Sequence, residues 1–130
     1  MAELLLTSVR WAGRASVEPV KEHAFVMYVI ALEALMLPHD ARGMAHRLQT
    51  RVSHLLGANA EERGWFHDTV KHLYDVRSGI VHEGSVEVED GDLGRLEMIV
   101  KECILRVLSH RTAYLLSTPK EFSRWLDTHR

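Results

Sequence analysis

Residues 24–37 read Ala-Phe-Val-Met-Tyr-Val-Ile-Ala-Leu-Glu-Ala-Leu-Met-Leu, with Glu33 the one charge in the run. Apolar and polar residues do not alternate here, so the segment is no half-buried strand. It is rich in Leu, Ala and Met and reads as a helix that is apolar almost all round. Such a helix is stable in water only when other elements surround it. Pro19 suits its first turn and Pro38 stops it, so the helix is expected over 19–37. The rest of the chain must then supply the helices that enclose it.

The remaining patterns do so. Residues 2–15 form a first helix, with Leu5, Val9 and Ala12 on one face. Asp40 is placed to cap a third helix carrying Met44, Leu48, Val52, Leu55 and Leu56, which Gly57 ends. Asn59 with Glu62 three residues later resembles a capping box for a fourth helix, whose inner face is Trp65, Phe66, Val70, Leu73 and Tyr74. That helix is expected to break around Gly79 to Gly84. The acidic stretch of Glu83, Glu87, Glu89, Asp90 and Asp92 reads as a solvated loop, with 85–88 as a short extended piece. Asp90 or Asp92 caps a long fifth helix from Leu93 to Leu115, and Pro119 opens a short last one with Phe122, Trp125 and Leu126. The expectation is an all-α helical bundle of five to six helices in a single domain, 1–130. The first helix starts without a good N-cap, which would suit a domain cut from the C-terminal part of a longer protein.

Composition narrows function. The net charge is −2, so the molecule as a whole is no electrostatic magnet for nucleic acid, and any RNA contact needs a local patch. Cys103 is the single cysteine, within an apolar helical run, and forms no intrachain disulfide; this fits a reducing cytoplasm. No stretch has the ~20 apolar residues of a membrane helix.

The segment Tyr74-Asp75-Val76-Arg77-Ser78-Gly79-Ile80-Val81-His82-Glu83-Gly84 carries the chemistry. Arginine holds a phosphate, and histidine moves a proton near neutral pH. An Arg followed after four to six residues by a His is weak evidence alone. It occurs three times, as Arg77 to His82, Arg47 to His54 and Arg124 to His129. Arg47 and His54 sit in a continuous amphipathic helix whose solvated face accounts for them, and Arg124 and His129 lie at the chain end. Arg77 and His82 straddle an expected helix end. On an ideal helix positions five apart point about 140° from each other, but Ser78-Gly79 followed by Glu83-Gly84 offers a bend, and a broken helix end would turn them to one side.

Ala31-Leu32-Glu33-Ala34-Leu35 in the central helix, followed by Leu73-Tyr74-Asp75-Val76-Arg77-Ser78-Gly79-Ile80-Val81-His82-Glu83-Gly84, resembles a HEPN domain of the Apea-like kind. The resemblance spans most of the chain, from the second helix to the fifth. The leading segment with Trp11 also looks like the way such domains begin at the C-terminal end of larger proteins. The resemblance implies an all-helical homodimer and, in active members, a metal-independent endoribonuclease whose two motifs meet in one cleft. It assigns the catalytic pair to Arg77 and His82, with Ser78 as the supporting polar residue. Many HEPN domains belong to antiviral defence or toxin–antitoxin systems. Many others are inactive and serve as dimerisation, RNA-binding or nucleotide-binding modules, the alternative for this chain.

In the catalytic case the ribose 2′-OH attacks the adjacent phosphate, leaving a cyclic phosphate and a free 5′-OH. His82 would transfer protons and Arg77 would stabilise the charge on phosphorus. Ser78 would bind a phosphate oxygen or orient His82. The RNA supplies its own nucleophile, so no metal or cofactor is expected. The plain structural alternatives are an ion pair of Arg77 with Asp75 or Glu83, and a helix-ending His82 that caps a carbonyl. His39, His46, His54, His67 and His72 lack metal-ligand spacing and read as exposed. Glu33 either points outward or needs a partner, and could then orient Arg77 or another arginine across the bundle. Tyr28, Trp65 and Tyr74 read as core or interface aromatics.

Overall fold

The structure is a computed structural model that describes residues 2–37, 45–84, 87–110 and 119–128. It is all-α, with six helices and no strand among the described residues. They are α1 (Ala2–Val17), α2 (Lys21–Met36), α3 (Ala45–Leu56), α4 (Ala60–Glu83), α5 (Asp90–Ser109) and α6 (Pro119–Thr128). No helix among the described residues is long and apolar enough to cross a membrane.

α2 is the central element, packed on α1, α3, α4 and α5. Its apolar residues spread around the whole helix, and Phe25, Tyr28, Val29, Leu32, Leu35 and Met36 are all buried. It starts at Lys21, two residues after Pro19, and Val20 caps it without a side-chain hydrogen bond. α1 turns back along it and is fastened by the buried Ser8 hydroxyl, which donates to the Ala31 carbonyl at 2.8 Å. α3 packs on α4, and α6 closes over α3.

The α3–α4 turn follows the sequence closely. The Gly57 N–H donates to the Ser53 carbonyl at 2.9 Å. A Cβ on Gly57 would lie 2.5 Å from Arg63 Cγ and 2.7 Å from the Arg63 backbone nitrogen, so only glycine allows α4 to approach this closely. Asn59 Oδ1 accepts from the Glu62 N–H at 2.9 Å. The return bond goes one residue further back than in a standard capping box, from the Ala58 N–H to Glu62 Oε1 at 3.0 Å. Asp40 and Met44, the expected start of α3, lie outside the described residues, as do Ser85, Val86 and Leu115.

Several expectations are corrected. α4 passes through Gly79 unbroken to Glu83, so of the expected range only its far end, Gly84, breaks the helix. It ends at Gly84, whose φ of 76° puts it in the left-handed region and whose N–H donates to the Ile80 carbonyl. Trp65 is not on the inner face; it is 46% exposed, edge-on to Phe66 with ring centroids 5.0 Å apart. Residues 87–89 are irregular, with Val88 buried as an anchor. The N-cap of α5 is Glu89, not Asp90 or Asp92. Asp90 pairs with Lys21 of α2 at 2.5 Å, and Asp92 is buried rather than solvated.

Candidate functional site

α4 carries the Arg/His segment along one uninterrupted helix, so its side chains follow helical angles. Arg77 and His82 point about 140° apart and are separated by about 7.5 Å along the axis. Within one chain they therefore do not converge. Ser78 and His82, four apart, share a face, and so do Tyr74 and Arg77, three apart. The structure thus groups Ser78 with His82, and Tyr74 with Arg77.

Arg77 is half-buried. Its guanidinium carbon lies 5.5 Å from the centroid of the Tyr74 ring, within cation–π range. Its Nε is buried and makes no hydrogen bond among the described residues. The simple ion-pair account fails, because Asp75 pairs with Lys71 at 3.0 Å and neither Asp75 nor Glu83 bonds Arg77 among the described residues. A buried guanidinium donor without an acceptor is costly, and such groups call for an explanation such as a missing anion.

Tyr74 is buried and donates its hydroxyl to the Glu33 carboxylate at 3.4 Å. Burial raises the Tyr74 phenol above its usual value, the Glu33 charge and hydrogen bond add to this, and the Arg77 charge opposes it. Glu33, 8% exposed on α2, thus faces Tyr74, whose ring also carries Arg77. Glu33 therefore takes the Tyr74 hydroxyl as its partner, and no ion pair between Glu33 and Arg77 occurs among the described residues.

His82 is exposed in the last turn of α4. It does not cap a carbonyl among the described residues; Gly84 performs that role. Val81 beside it is 51% exposed. An open imidazole, an open apolar neighbour and a hydroxyl one turn back form a face that a second macromolecule can reach.

The two other Arg–His pairs fall elsewhere. Arg47 and His54 are half-buried on α3, not on the solvated face expected of them; Arg124 is exposed on α6, and His129 lies outside the described residues. No cluster of three or more His, Cys, Asp or Glu residues with metal-ligand geometry occurs among the described residues.

Two polar centres escape sequence reading. Asp92 accepts hydrogen bonds at 2.8 Å from Arg95 and at 3.0 Å from Nε2 of His72, joining α5 to α4. Burial pushes its carboxyl up, but the Arg95 and His72 hydrogen bonds outweigh this and hold it below its ordinary value. Arg51, 1% exposed on α3, grips Asp127 of α6 through two bonds of 2.7 and 3.1 Å and donates to the Met36 carbonyl at 2.7 Å. Arg95 is a local i,i+3 partner of Asp92, but His72 and Asp127 are 20 and 76 residues from the groups they bond, so no local spacing signals them.

No family model matches the chain, and no curated protein and no solved structure matches it at a significant level. The geometry of its own residues therefore carries the functional argument.

Proposed function

We propose that this chain is a HEPN-like, metal-independent endoribonuclease of the cytoplasm, with Arg77 and His82 as its catalytic pair and Ser78 in support. The single observation that carries the reading is the state of Arg77. Its guanidinium is half-buried, has no carboxylate partner among the described residues, and keeps an unsatisfied Nε. That is the condition of a side chain prepared for an anion, and a phosphodiester fits a planar guanidinium.

In the reaction the RNA 2′-oxygen attacks the adjacent phosphorus and loses its proton to a base. The P–O5′ bond breaks, and the leaving oxygen takes up a proton. The products are a 2′,3′-cyclic phosphate and a 5′-OH. Arg77 stabilises the added negative charge on the phosphoryl oxygens. His82 moves one of the protons. The straight α4 keeps His82 away from Arg77 of its own chain, which favours a homodimer in which each centre combines Arg77 of one copy with His82 of the other. Setting the domain in a defence or toxin–antitoxin system belongs to the same reading.

The separation of Arg77 from His82 also favours a second reading, an inactive module that binds RNA or a nucleotide through Arg77 alone. Cleavage of a labelled single-stranded RNA in EDTA separates the two. Cyclic-phosphate products that vanish in Arg77→Ala and in His82→Ala support the ribonuclease. RNA binding without cleavage, lost only in Arg77→Ala, supports the module.

A further inference from the structure

The Arg77 site contains two opposite charges. The Arg77 guanidinium carbon lies 5.5 Å from the centroid of the Tyr74 ring, and the hydroxyl of the same ring donates to the Glu33 carboxylate at 3.4 Å. The charges that act on the Tyr74 phenol are these two, Glu33 pushing its pKa up and Arg77 pulling it down. On α4, Asp75 and Lys71 neutralise each other at 3.0 Å.

Glu33 is hard to explain as a structural residue. It is 8% exposed on the apolar α2, and its one side-chain hydrogen bond among the described residues is the long one from Tyr74. A neutral amide would accept that bond without the cost of a buried charge. What an amide would not supply is a negative field at Arg77. The Arg77 Nε is buried and makes no hydrogen bond among the described residues. An anion that reaches it gives up water and feels that field with little screening by salt.

We propose that Glu33 sets the charge class of the anion that Arg77 takes, admitting singly charged phosphodiesters within a nucleic acid chain and holding off doubly charged phosphate monoesters. This rests on the reading of Arg77 as a phosphate-binding residue. A diester carries one negative charge, which the one guanidinium matches. A monoester carries nearly two at pH 8, since its second ionisation lies near pH 6. Its second charge is also drawn to Arg77, but it must be stripped of water, at a cost that rises steeply with charge. It is further repelled by Glu33. At a separation on the order of 10 Å and an effective dielectric constant of about 20, Glu33 weakens binding roughly tenfold per unit of ligand charge. Free nucleotides and RNA ends are thereby penalised against internal linkages. Glu33 acts through its field without touching the ligand, so it governs selectivity and not the chemical step.

The test is a titration of the full chain at pH 8, followed on its backbone amide resonances. The diester probe is thymidylyl-(3′→5′)-thymidine, which has no 2′-OH and stays intact. The monoester probe is thymidine 5′-monophosphate. The wild type is expected to prefer the diester, and Arg77→Ala to lose both ligands. Glu33→Gln keeps an acceptor for the Tyr74 hydroxyl and should keep wild-type circular dichroism. It should shift the ratio of the two dissociation constants about tenfold toward the monoester, the size of the field effect of one charge. A wild type that prefers the monoester, or a Glu33→Gln variant in which the ratio is unchanged, would overturn the inference while leaving Arg77 as the anion site. Ligands that bind Arg77→Ala as well as wild type, or that fail to bind wild type, would instead remove the phosphate-binding reading on which it rests.

Discussion

Tyr74 of α4 and Glu33 of α2 meet at 3.4 Å, and the ring of that tyrosine is the surface on which Arg77 rests. The central helix therefore reaches the candidate catalytic arginine through an aromatic intermediary. Glu33 is the one charge in the apolar run, and its position explains why a carboxylate is tolerated there.

The two functions of Tyr74 are separable. Tyr74→Phe keeps the ring under Arg77 but removes the hydrogen bond to Glu33. It should cost about 1–3 kcal/mol of stability, read by urea unfolding, because a buried carboxylate loses its donor. Tyr74→Leu also removes the cation–π contact. It should lower RNA cleavage roughly 10-fold below Tyr74→Phe, in line with the strength of partly desolvated cation–π pairs. Equal cleavage by the two variants would show that the ring does not position Arg77.

A two-chain centre makes a distinct prediction for Arg77 and His82. Arg77→Ala and His82→Ala should each be inactive in RNA cleavage while retaining wild-type helicity. An equimolar mixture should regain about a quarter of wild-type activity, since half of the pairs are mixed and each mixed pair holds one intact centre. Failure of the mixture to recover activity, when each parent pairs normally, would place both residues of a centre in one chain.

Much of this arrangement was legible in the sequence. The apolar run 24–37, Gly57, the Asn59–Glu62 cap and the periodicity of α5 led to the helical bundle, because each is a local pattern with a local cause. The path of α4 was not legible. Gly79 and Gly84 look alike as breakers, yet Gly79 is held in the helix, which Ile80 continues into the core. Only Gly84 takes up the left-handed conformation that ends it. Trp65 fits a helical inner face by spacing but lies near the α4 start, where it is 46% exposed. The His72–Asp92 and Arg51–Asp127 contacts join residues 20 and 76 apart, which periodicity cannot relate.

Asp92 should make stability depend on pH. Its carboxyl is held below the ordinary value near 3.8. The unfolded chain therefore binds the proton more readily, and the stabilisation is present above about that pH and is lost as pH falls through the lower folded value. Asp92→Asn should destabilise the protein by about 1–3 kcal/mol at pH 7, as for hydrogen bonds to a charged group. The difference from wild type should shrink as pH falls below the ordinary carboxyl range. A constant difference across an acid titration of unfolding free energy would contradict this.

Arg51 ties the last helix to the body of the bundle. Asp127→Ala removes both carboxylate bonds to a guanidinium that is 1% exposed. A loss on the order of 3 kcal/mol is expected, the low end of the cost of breaking a buried pair, because Asp127 is itself half-exposed. Hydrogen exchange should show faster opening of α6 than of α2. A variant with unchanged stability would mean that the aromatic and aliphatic side chains of α6 hold it without the ion pair.

Cys103 should be chemically silent while the protein is folded. It is fully buried on α5, and burial drives its thiol far above the ordinary value, with the Arg106 charge opposing only weakly. The thiolate is the reactive species, so both access and ionisation are denied. Ellman's reagent at pH 8 should label the native chain only at the rate of global opening, and label it at once in 6 M guanidinium. Fast labelling of the native protein would require α5 to open locally around Cys103.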